Sequence, residues 1–565
     1  MATTAFIGVA LLALVAPFEM TQPLVRFPQQ SVSNLEAALL CAFAAWGLSI
    51  VRSRRLPAWR TPLTLPWVAL LIVLIVASVA APAFRVNAFH MTGRLTAAFG
   101  IFLLTVTGLT TGKRVRAALS LVIATGVIVS VLAILEYAQV GPVLNALKAF
   151  RPGITVVGSQ LRAGGSLQYP TIASMYLEVV FAFGVGLLLS DVDAGRRGRA
   201  AVWFVALLIV AEAITLTFTR AGIISMAAVL VLMGAIRCRR RGRDVGVGLL
   251  AALSVLVVVI FAGSRSAEWM WLRFTSGGQE SWYRAQVTAP ADLAMASGAT
   301  SVVPIEVTNT GRLTWDSQGD PPFLLSYHWM PAEGDRFVTF DGLRTPFPAP
   351  VEPGATIAMQ ADVRAPRQPG QYRLGWDVVV EQRLWFSTEP GAAPMLSRAT
   401  VSGDALDTIV RTTPPPKPTV RPGRFQLWTA AVKMIAAHPL LGVGPDNFRL
   451  LYGDYAGLTA ADPRTHSNDM YLEVLAGSGL VGGLAFAWLL WRAAGVLLPD
   501  LRAPAAAATA MGVGAALIAV ALHGVVDSFL SFGPTYVLFS LTLGFAVACS
   551  RGPLRIEMEA DAHRL

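Results

Sequence analysis

Charged residues are scarce in this chain of 565 residues. Asp, Glu, Lys and Arg make up 14% of it, whereas hydrophobic residues make up 54%. So few charges cannot cover the surface of a water-soluble protein of this size, and so many apolar residues exclude a disordered chain. Apolar runs of membrane-spanning length recur along most of the sequence. The composition therefore predicts a polytopic membrane protein.

Cysteine is also scarce. Cys41, Cys238 and Cys549 lie far apart and form no C-x-x-C pair, which argues against a disulfide framework or a zinc site. No Walker loop, dinucleotide fingerprint, H-E-x-x-H motif or DxD-like metal pair occurs in a convincing context. The net charge of +11 needs no nucleic-acid partner, because much of it is explained by membrane topology.

Twelve apolar runs are predicted to be transmembrane helices, since each is about long enough to cross a bilayer. They are residues 3–20, 35–51, 64–83, 95–111, 117–137, 170–190, 200–217, 221–236, 245–263, 479–498, 505–523 and 533–549. Lys and Arg cluster in the loops at 52–60, 113–116, 196–199 and 237–243, all on one side. The positive-inside rule makes that side the cytoplasm. We therefore expect both termini inside and the segment 264–478 outside.

The segment 283–398 has a different pattern. Stretches such as TSVVPIEVTNT and YRLGWDVVVEQRLWF alternate apolar and polar residues between Pro and Gly turns, which is the spacing of strands. Roughly seven strands resemble an antiparallel β-sandwich of the immunoglobulin-like kind. Its expected core includes Trp315, Trp329, Trp376 and Trp385. The proline-rich stretch RTTPPPKPTVRPG at 411–423 is predicted to be an extended linker.

The most informative stretch runs from Gly423 to Trp491. Residues 425–437 have the periodicity of an amphipathic surface helix, and a PLLGVGPDNF turn and a YLEVLAGSGLVGGLAF helix follow. These features resemble the carboxy-terminal core of the O-antigen ligase and polymerase superfamily of bacterial membrane glycosyltransferases. Three further segments resemble other parts of that family: RAGGSLQYPTIASMYL at 162–177, LTFTRAG at 216–222 and HGVVDSFLSFGPTYVLFSLTLGF at 523–545.

The resemblance implies a helical scaffold similar to the C-type glycosyltransferases. Together with the apolar runs and the strand pattern, it predicts an all-α polytopic bundle of about twelve transmembrane helices with an inserted all-β sandwich on the outer face. The expected parts are an N-terminal bundle at 1–263, the sandwich at 283–398, the linker at 411–423, a surface helix and catalytic loop at 424–478, and C-terminal helices with a cytoplasmic tail at 479–565.

The resemblance also implies a reaction. A glycan would pass from an undecaprenyl-pyrophosphate-linked donor to a glycan, lipid A-core or protein acceptor, at the outer face of the bacterial inner membrane. The transfer would invert the anomeric centre and would use no metal and no cofactor. Besides these substrates, the expected partners are membrane lipids, and no nucleic acid is expected.

Arginines on the outer side are the predicted pyrophosphate ligands. They run against the positive-inside bias, and a metal-free site needs cations to neutralise the leaving group, which forked guanidinium groups do well. Arg220, in a very short outer turn, and Arg424, at the start of the surface helix, come first. Arg162 and Arg94 are further candidates.

The base that deprotonates the acceptor hydroxyl is predicted to be a histidine, whose usual pKa suits this task. In the register set by Gly479 and Gly482, Asn468 stands where the family has its histidine, and His466 lies two residues upstream. His466 and Asn468 are therefore both candidates. Supporting roles are expected for Asp469, Glu178, His523 and Asp527, and His523 could pair with Asp527.

Several alternatives stay open at this point. Ligase and polymerase use the same donor and cannot be separated, and a protein oligosaccharyltransferase of the same superfamily is possible. A transporter would also have about twelve spans and buried charges, although the candidate residues cluster at the outer helix ends and no internal repeat is evident. A membrane-anchored scaffold would act through the sandwich alone.

Overall fold

The structure is a computed structural model. It describes residues 1–26, 31–151, 153, 155–157, 160–263, 271–272, 274–275, 281–319, 321–334, 336–381, 384–389, 392–404, 422–458, 461–502 and 508–551. They form two compact units. A helical unit spans Met1–Val156, Gln160–Trp271 and Pro422–Leu565, and a β unit spans Leu272–Arg421 together with Val157–Ser159.

The helical unit contains fifteen described α-helices. They are α1 (Ala2–Val15), α2 (Asn34–Ser53), α3 (Thr64–Ala80), α4 (Arg85–Gly108), α5 (Gly112–Tyr137), α6 (Gly141–Leu147), α7 (Pro170–Asp193), α8 (Arg197–Leu216), α9 (Arg220–Arg241), α10 (Val245–Gly263), α11 (Arg424–Ala437), α12 (Phe448–Ala456), α13 (Met470–Arg502), α14 (Ala508–His523) and α15 (Gly533–Ser550). A short 3-10 helix, Ala16–Phe18, extends α1.

Nine of the described helices are long and apolar enough to cross a membrane, namely α2, α4, α5, α7, α8, α9, α10, α13 and α15. Three shorter apolar helices, Ala2–Phe18, α3 and α14, occupy the positions of the remaining predicted runs. The prediction of a polytopic helical membrane protein with an inserted β region is confirmed.

Two helices begin well before the start that hydropathy predicts. α4 begins at Arg85 and not at 95, so Arg94 lies inside a helix and not at its edge. α13 begins at Met470 and not at 479. The added turns contain polar residues, such as Asn87 and Glu473, which lower the local hydropathy but find partners within the helical unit.

Helix α7 lies at the centre of the helical unit, and all of its apolar window is buried. It packs against α14 where Gly186 meets Gly512: a Cβ at Gly512 would lie 2.7 Å from the Cα of Gly186. Glu178 and His523 also meet, so the two helices are antiparallel. We call the end of the unit at which α7, α9 and α13 begin and α14 ends the site end.

The strands of the chain are mostly in the β unit. Four short ones precede it: β1 (Val25–Arg26), β2 (Ser31–Val32), β3 (Thr155–Val157) and β4 (Gln160–Arg162). Nine follow: β5 (Ala285–Thr288), β6 (Asp292–Ala296), β7 (Thr300–Asn309), β8 (Phe323–Pro331), β9 (Thr345–Pro346), β10 (Thr356–Arg364), β11 (Gly370–Val380), β12 (Leu384–Trp385) and β13 (Met395–Ser402). A 3-10 helix, Phe386–Thr388, follows β12.

These nine strands form two sheets. One has the order β10-β7-β5, and the other has the order β6-β13-β11-β8-β9 with β12 paired to β11. Two hydrogen bonds connect β10 of the first sheet with β8 of the second. The Arg364 amide donates to the Tyr327 hydroxyl, and the Trp329 indole donates to the Arg364 carbonyl, both at 2.8 Å. The pairing is antiparallel except between β6 and β13. The expected antiparallel pairing thus holds for every strand pair of the β unit but this one.

The core of the β unit contains three of the four predicted tryptophans. Trp315, Trp329 and Trp376 are fully buried, whereas Trp385 is half-buried and packs against the ring of His328. Two joined sheets agree with the expected sandwich, and its immunoglobulin-like character stays a prediction. Residues 411–421 of the predicted linker lie outside the described part of the chain.

The glycine crossing of α7 and α14 can be tested with one methyl group. Gly512→Ala should lower the free energy of unfolding by about 1–3 kcal/mol, since the added Cβ overpacks a backbone contact. Gly47→Ala is the matched control, because a Cβ on Gly47 of α2 has no neighbour within 4 Å. Thermal unfolding in detergent measures both, and equal midpoints for the two variants would contradict the close crossing.

Candidate active site

Helix α13 is interrupted at Gly479. This residue has φ 65° and ψ −169°, a combination open almost only to glycine. A Cβ at this position would also clash with the backbone of Leu440. The break leaves the carbonyls before Gly479 and the amides after it without their usual helical partners.

The segment 439–444, which we call the inserted turn, supplies those partners. The amides of Val443 and Gly444 donate to the carbonyls of Ala476 and Gly477, at 2.8 and 3.0 Å. In return, the amides of Leu480 and Val481 donate to the carbonyls of Pro439 and Leu440, at 2.8 and 3.3 Å. Unsatisfied backbone groups inside an apolar bundle are costly, so these four hydrogen bonds fix the inserted turn in place.

The inserted turn leads directly into Asp446 and Asn447, which are anchored to the start of α4. The Asn447 amide donates to the carbonyls of Ala83 and Val443, both at 2.9 Å. Asn87 donates to Asn447 at 3.0 Å and to Asp446 at 3.2 Å. Arg449 forms an ion pair with Asp446 at 2.8 Å. The Asp446 carboxylate is thereby held from two sides.

His466 faces two carboxylates. Its Nδ1 lies 3.3 Å from the Glu473 carboxylate and 4.0 Å from that of Asp446. Its ring packs edge-on against Phe532, with centroids 5.7 Å apart. His466, Asp446 and Glu473 form what we call the His466 cluster. Glu473 comes from the first turn of α13, and Asp446 from the segment after the inserted turn.

The loop before α13 orients the cluster through hydrogen bonds. The amide and hydroxyl of Ser467 donate to Glu473 at 2.9 and 2.6 Å. The carboxylate of Asp469 accepts from the amides of Tyr471 and Leu472, both at 2.8 Å, and so caps α13. Asn468 has φ 54°, a left-handed conformation that asparagine tolerates well. Asp469 and Asn468 thus shape the loop that presents His466.

The charges around His466 raise its pKa. Burial of the imidazole lowers the pKa, but the hydrogen bond and charge of Glu473 and the charge of Asp446 outweigh this effect, so the pKa lies above its ordinary value. Burial also raises the pKa of Asp469, more than its two amide donors lower it. His466 is therefore a stronger base than an isolated histidine.

The His466 cluster could also hold a divalent cation. One ligand atom from each residue lies within 4.8 Å of the other two, and imidazole with carboxylates suits zinc. However, Arg449 is already ion-paired with Asp446, and Ser467 donates twice to Glu473. Both carboxylates therefore already have donors besides His466.

Two predicted pyrophosphate ligands come together at the site end. Arg424 begins α11 and Arg220 begins α9, and their charges repel each other, with the buried carboxylate of Asp527 as a nearby counter-charge. Burial lowers the pKa of Arg424 and Arg220 adds to this, while Asp527 acts in the opposite sense. We call Arg220 and Arg424 the arginine pair. A polyanion is the ligand that would neutralise it.

Arg162 contacts the turn in front of Arg220. Its guanidinium donates to the Thr217 carbonyl at 2.9 Å and to the Thr219 hydroxyl at 3.2 Å. Between these two residues, Phe218 has φ 53°, a strained conformation for an aromatic residue. Arg162 therefore stabilises the turn that presents Arg220.

Arg94 lies on the surface of α4. Its guanidinium donates to the Ser531 carbonyl at 2.9 Å and lies 5.9 Å from the centre of the Tyr536 ring. Arg94 of α4 thus contacts the segment 524–532, which joins α14 to α15. This segment also carries Asp527 and Phe532, so it borders both the arginine pair and the His466 cluster.

His523 and Glu178 form a buried pair. The Nδ1 of His523 lies 2.8 Å from the Glu178 carboxylate. The expected partner, Asp527, instead accepts a hydrogen bond from the Ser528 amide at 2.9 Å. The supporting residues of the sequence prediction therefore lie at the site end, but His523 is paired with a carboxylate of α7.

Sequence reasoning missed Glu473, Asp446, Arg449 and Asn87. Glu473 lies in the YLE segment and Asp446 in the PDN turn, and a polar residue beside a quoted motif was the available signal. Asn87 had none, because its partners Asp446 and Asn447 lie about 360 positions away in the chain.

The inserted turn depends on glycine at the helix break. Gly479→Ala should lower the free energy of unfolding by about 1–3 kcal/mol, because alanine disfavours this backbone conformation. Gly495→Ala is a control in the same helix, where an added Cβ has no neighbour within 4 Å. Thermal unfolding of both purified variants is the measurement, and a Gly479→Ala midpoint equal to that of the control would refute the constraint.

One family comparison matches the chain. Residues 398–487 match the family model described as O-Antigen ligase (Wzy_C). The matched segment includes α11, the inserted turn and all three residues of the His466 cluster. No curated protein matches the chain significantly. An O-antigen ligase domain indicates glycan transfer in surface polysaccharide synthesis, by an enzyme of the ligase or polymerase type. The apolar helices identify the chain as a multi-pass membrane protein, and its residues 398–487 are similar to the O-antigen ligase domain.

Proposed function

We propose that the chain transfers a glycan from an undecaprenyl-pyrophosphate-linked donor to an acceptor hydroxyl at the outer face of the bacterial inner membrane. The observation that carries the proposal is the contact of His466 with Glu473, 3.3 Å apart within the matched O-antigen ligase segment. A histidine backed by a carboxylate is suited to general-base catalysis.

His466 is the proposed base. With Nδ1 directed at Glu473, Nε2 is the atom available to take the acceptor proton. The acceptor oxygen then bonds to the anomeric carbon as the bond between that carbon and the pyrophosphate oxygen breaks. One displacement inverts the anomeric centre. Glu473 and Asp446 stabilise the imidazolium that forms.

The arginine pair is proposed to bind the donor pyrophosphate. Negative charge grows on the pyrophosphate as it departs, and two guanidinium groups stabilise that charge without a metal. Arg162 would act by holding the turn of Arg220, and Arg94 by holding the segment 524–532. Asn468 and Asp469 would act by shaping the loop of His466.

The outer-face location rests on the distribution of basic loops. The basic loops all adjoin helix ends that are opposite the site end, and they are residues 52–60, 113–116, 196–199 and 237–243. Ion pairs such as that of Arg237 with Asp193 connect the helices at this end. By the positive-inside rule that end is cytoplasmic, which puts the site end and the segment 264–478 outside. The clustering at one end also favours a transferase over a transporter, whose ligands would lie near the midplane.

Release of undecaprenyl pyrophosphate from a lipid-linked glycan tests the base. With chelator present, wild type should release the carrier, and His466→Ala should reduce the rate by about 10²–10⁴-fold because the proton has no acceptor. Asn468→Ala should keep most of the activity, since its role is confined to the loop. Loss in Asn468→Ala alone would contradict His466 as the base and move the site to the surroundings of Asn468, and loss of wild-type activity on chelation would indicate a metal.

The dependence of the transfer rate on pH tests whether Glu473 raises the pKa of His466. The base must be neutral, so the rate should fall as the pH drops through the raised pKa of His466. Glu473→Gln removes a charge that stabilises the imidazolium, so it should lower this pKa and move the acid limb to lower pH. Asp454→Asn, an exposed carboxylate of α12, is the control. If the acid limb of the pH–rate profile of Glu473→Gln lies at the same pH as in wild type, the proposed pairing of His466 with Glu473 is excluded.

A further inference from the structure

We infer that the buried pair of His523 and Glu178 is a positioning device for the donor half of the site, acting on the arginine pair through the segment 524–532. The inference rests on the proposed function and adds two positioning residues to it. Neither residue is assigned a contact with the substrate.

The pair is fully buried. The Nδ1 of His523 lies 2.8 Å from the Glu178 carboxylate, and the two side chains are 1% and 0% exposed. The crossing of Gly186 and Gly512 brings α7 and α14 close enough for this contact. Charged groups in a membrane bundle are expensive unless paired, so each side chain strongly restricts the other.

His523 is also the last residue of α14, so its contact with Glu178 holds the end of the helix from which the segment 524–532 starts. Its carbonyl accepts hydrogen bonds from the amides of Val526 and Asp527, at 2.9 and 3.0 Å. This turn sets the position of the Asp527 carboxylate, the counter-charge beside the arginine pair. A change in the His523 ring would therefore alter the electrostatic surroundings of Arg424 and Arg220.

The same helix end is tied to the start of α13. The Met470 amide donates to the Gly524 carbonyl at 2.7 Å, and the Tyr471 hydroxyl donates to the Ala521 carbonyl at 2.9 Å. The His466 cluster has its own anchors, however, in Ser467, Arg449 and Asn87. Loss of the His523 and Glu178 contact should consequently disturb donor binding more than acceptor binding.

A second buried carboxylate of α7, that of Asp191, provides a control that distinguishes a positioning role from a general loss of stability. Asp191 is fully buried, lies beside Arg116 and accepts a hydrogen bond from the Trp203 indole at 2.8 Å. It is thirteen positions from Glu178, or roughly 20 Å along the helix, at the end opposite the site end. Asp191→Asn should therefore cost stability without affecting the arginine pair.

The experiment measures binding of undecaprenyl pyrophosphate to the purified full chain, which needs no turnover. Glu178→Gln and His523→Gln should each weaken binding by about tenfold or more, because the cations lose their fixed geometry. The double variant should be no worse than either single one. The KM for the acceptor should stay within about twofold of wild type. Glu178→Asp should recover part of the affinity, and Asp191→Asn should keep all of it.

Each outcome bears on the inference. Equal loss of stability in Glu178→Gln and Asp191→Asn, with wild-type affinity in both, would reduce the pair to a structural contact. If Glu178→Gln does not fold, His523→Gln carries the test, because its amide can satisfy the buried Glu178 carboxylate while the imidazole ring and its fixed position at the end of α14 are lost. If wild type binds undecaprenyl pyrophosphate but transfers no glycan, weaker binding in Glu178→Gln upholds the inference while the transferase fails. If neither wild type nor Arg424→Ala binds it, both proposals fail together.

Discussion

The interruption of α13 imposes a requirement on everything around it, because a helix broken inside an apolar bundle must have its backbone groups satisfied by another segment. The inserted turn meets this requirement with four hydrogen bonds, two in each direction. The position of the inserted turn then determines where Asp446 lies, and the part of α13 before Gly479 determines where Glu473 lies. The carboxylates on either side of His466 are thus placed by backbone geometry more than by side-chain packing.

Buried charges are arranged differently at the two ends of the helical unit. At one end, Arg237 and Arg241 pair with Asp193 and Asp244 at the helix termini, so that the charges balance. At the site end, charges of the same sign are brought together, as two arginines in one place and two carboxylates in another. Such groupings cost stability, and they suit ligands and protons that arrive with the opposite charge.

The sequence alone predicts much of this architecture, since apolar runs mark the helices and alternation marks the strands. It fails where polar residues belong to a helix: the first turns of α4 and α13 look like loops because Asn87, Arg94 and Glu473 lower their hydropathy. It also fails for partners far apart in the chain, such as Asn87 with Asp446 or Glu178 with His523. The arginine pair could be predicted, because cations opposed to the topology bias need a reason.

The two carboxylates of the His466 cluster come from separate segments, and together they form a receptacle for a histidine presented by the loop between them, whose Ser467 also orients Glu473. A histidine can enter it from position 466 as long as that loop turns at Asn468. The proposed base is then defined by which histidine reaches both acids, and not by its exact position in the sequence. Relatives that lack a histidine at the usual column should accordingly be judged by whether a neighbouring histidine can reach the same two acids.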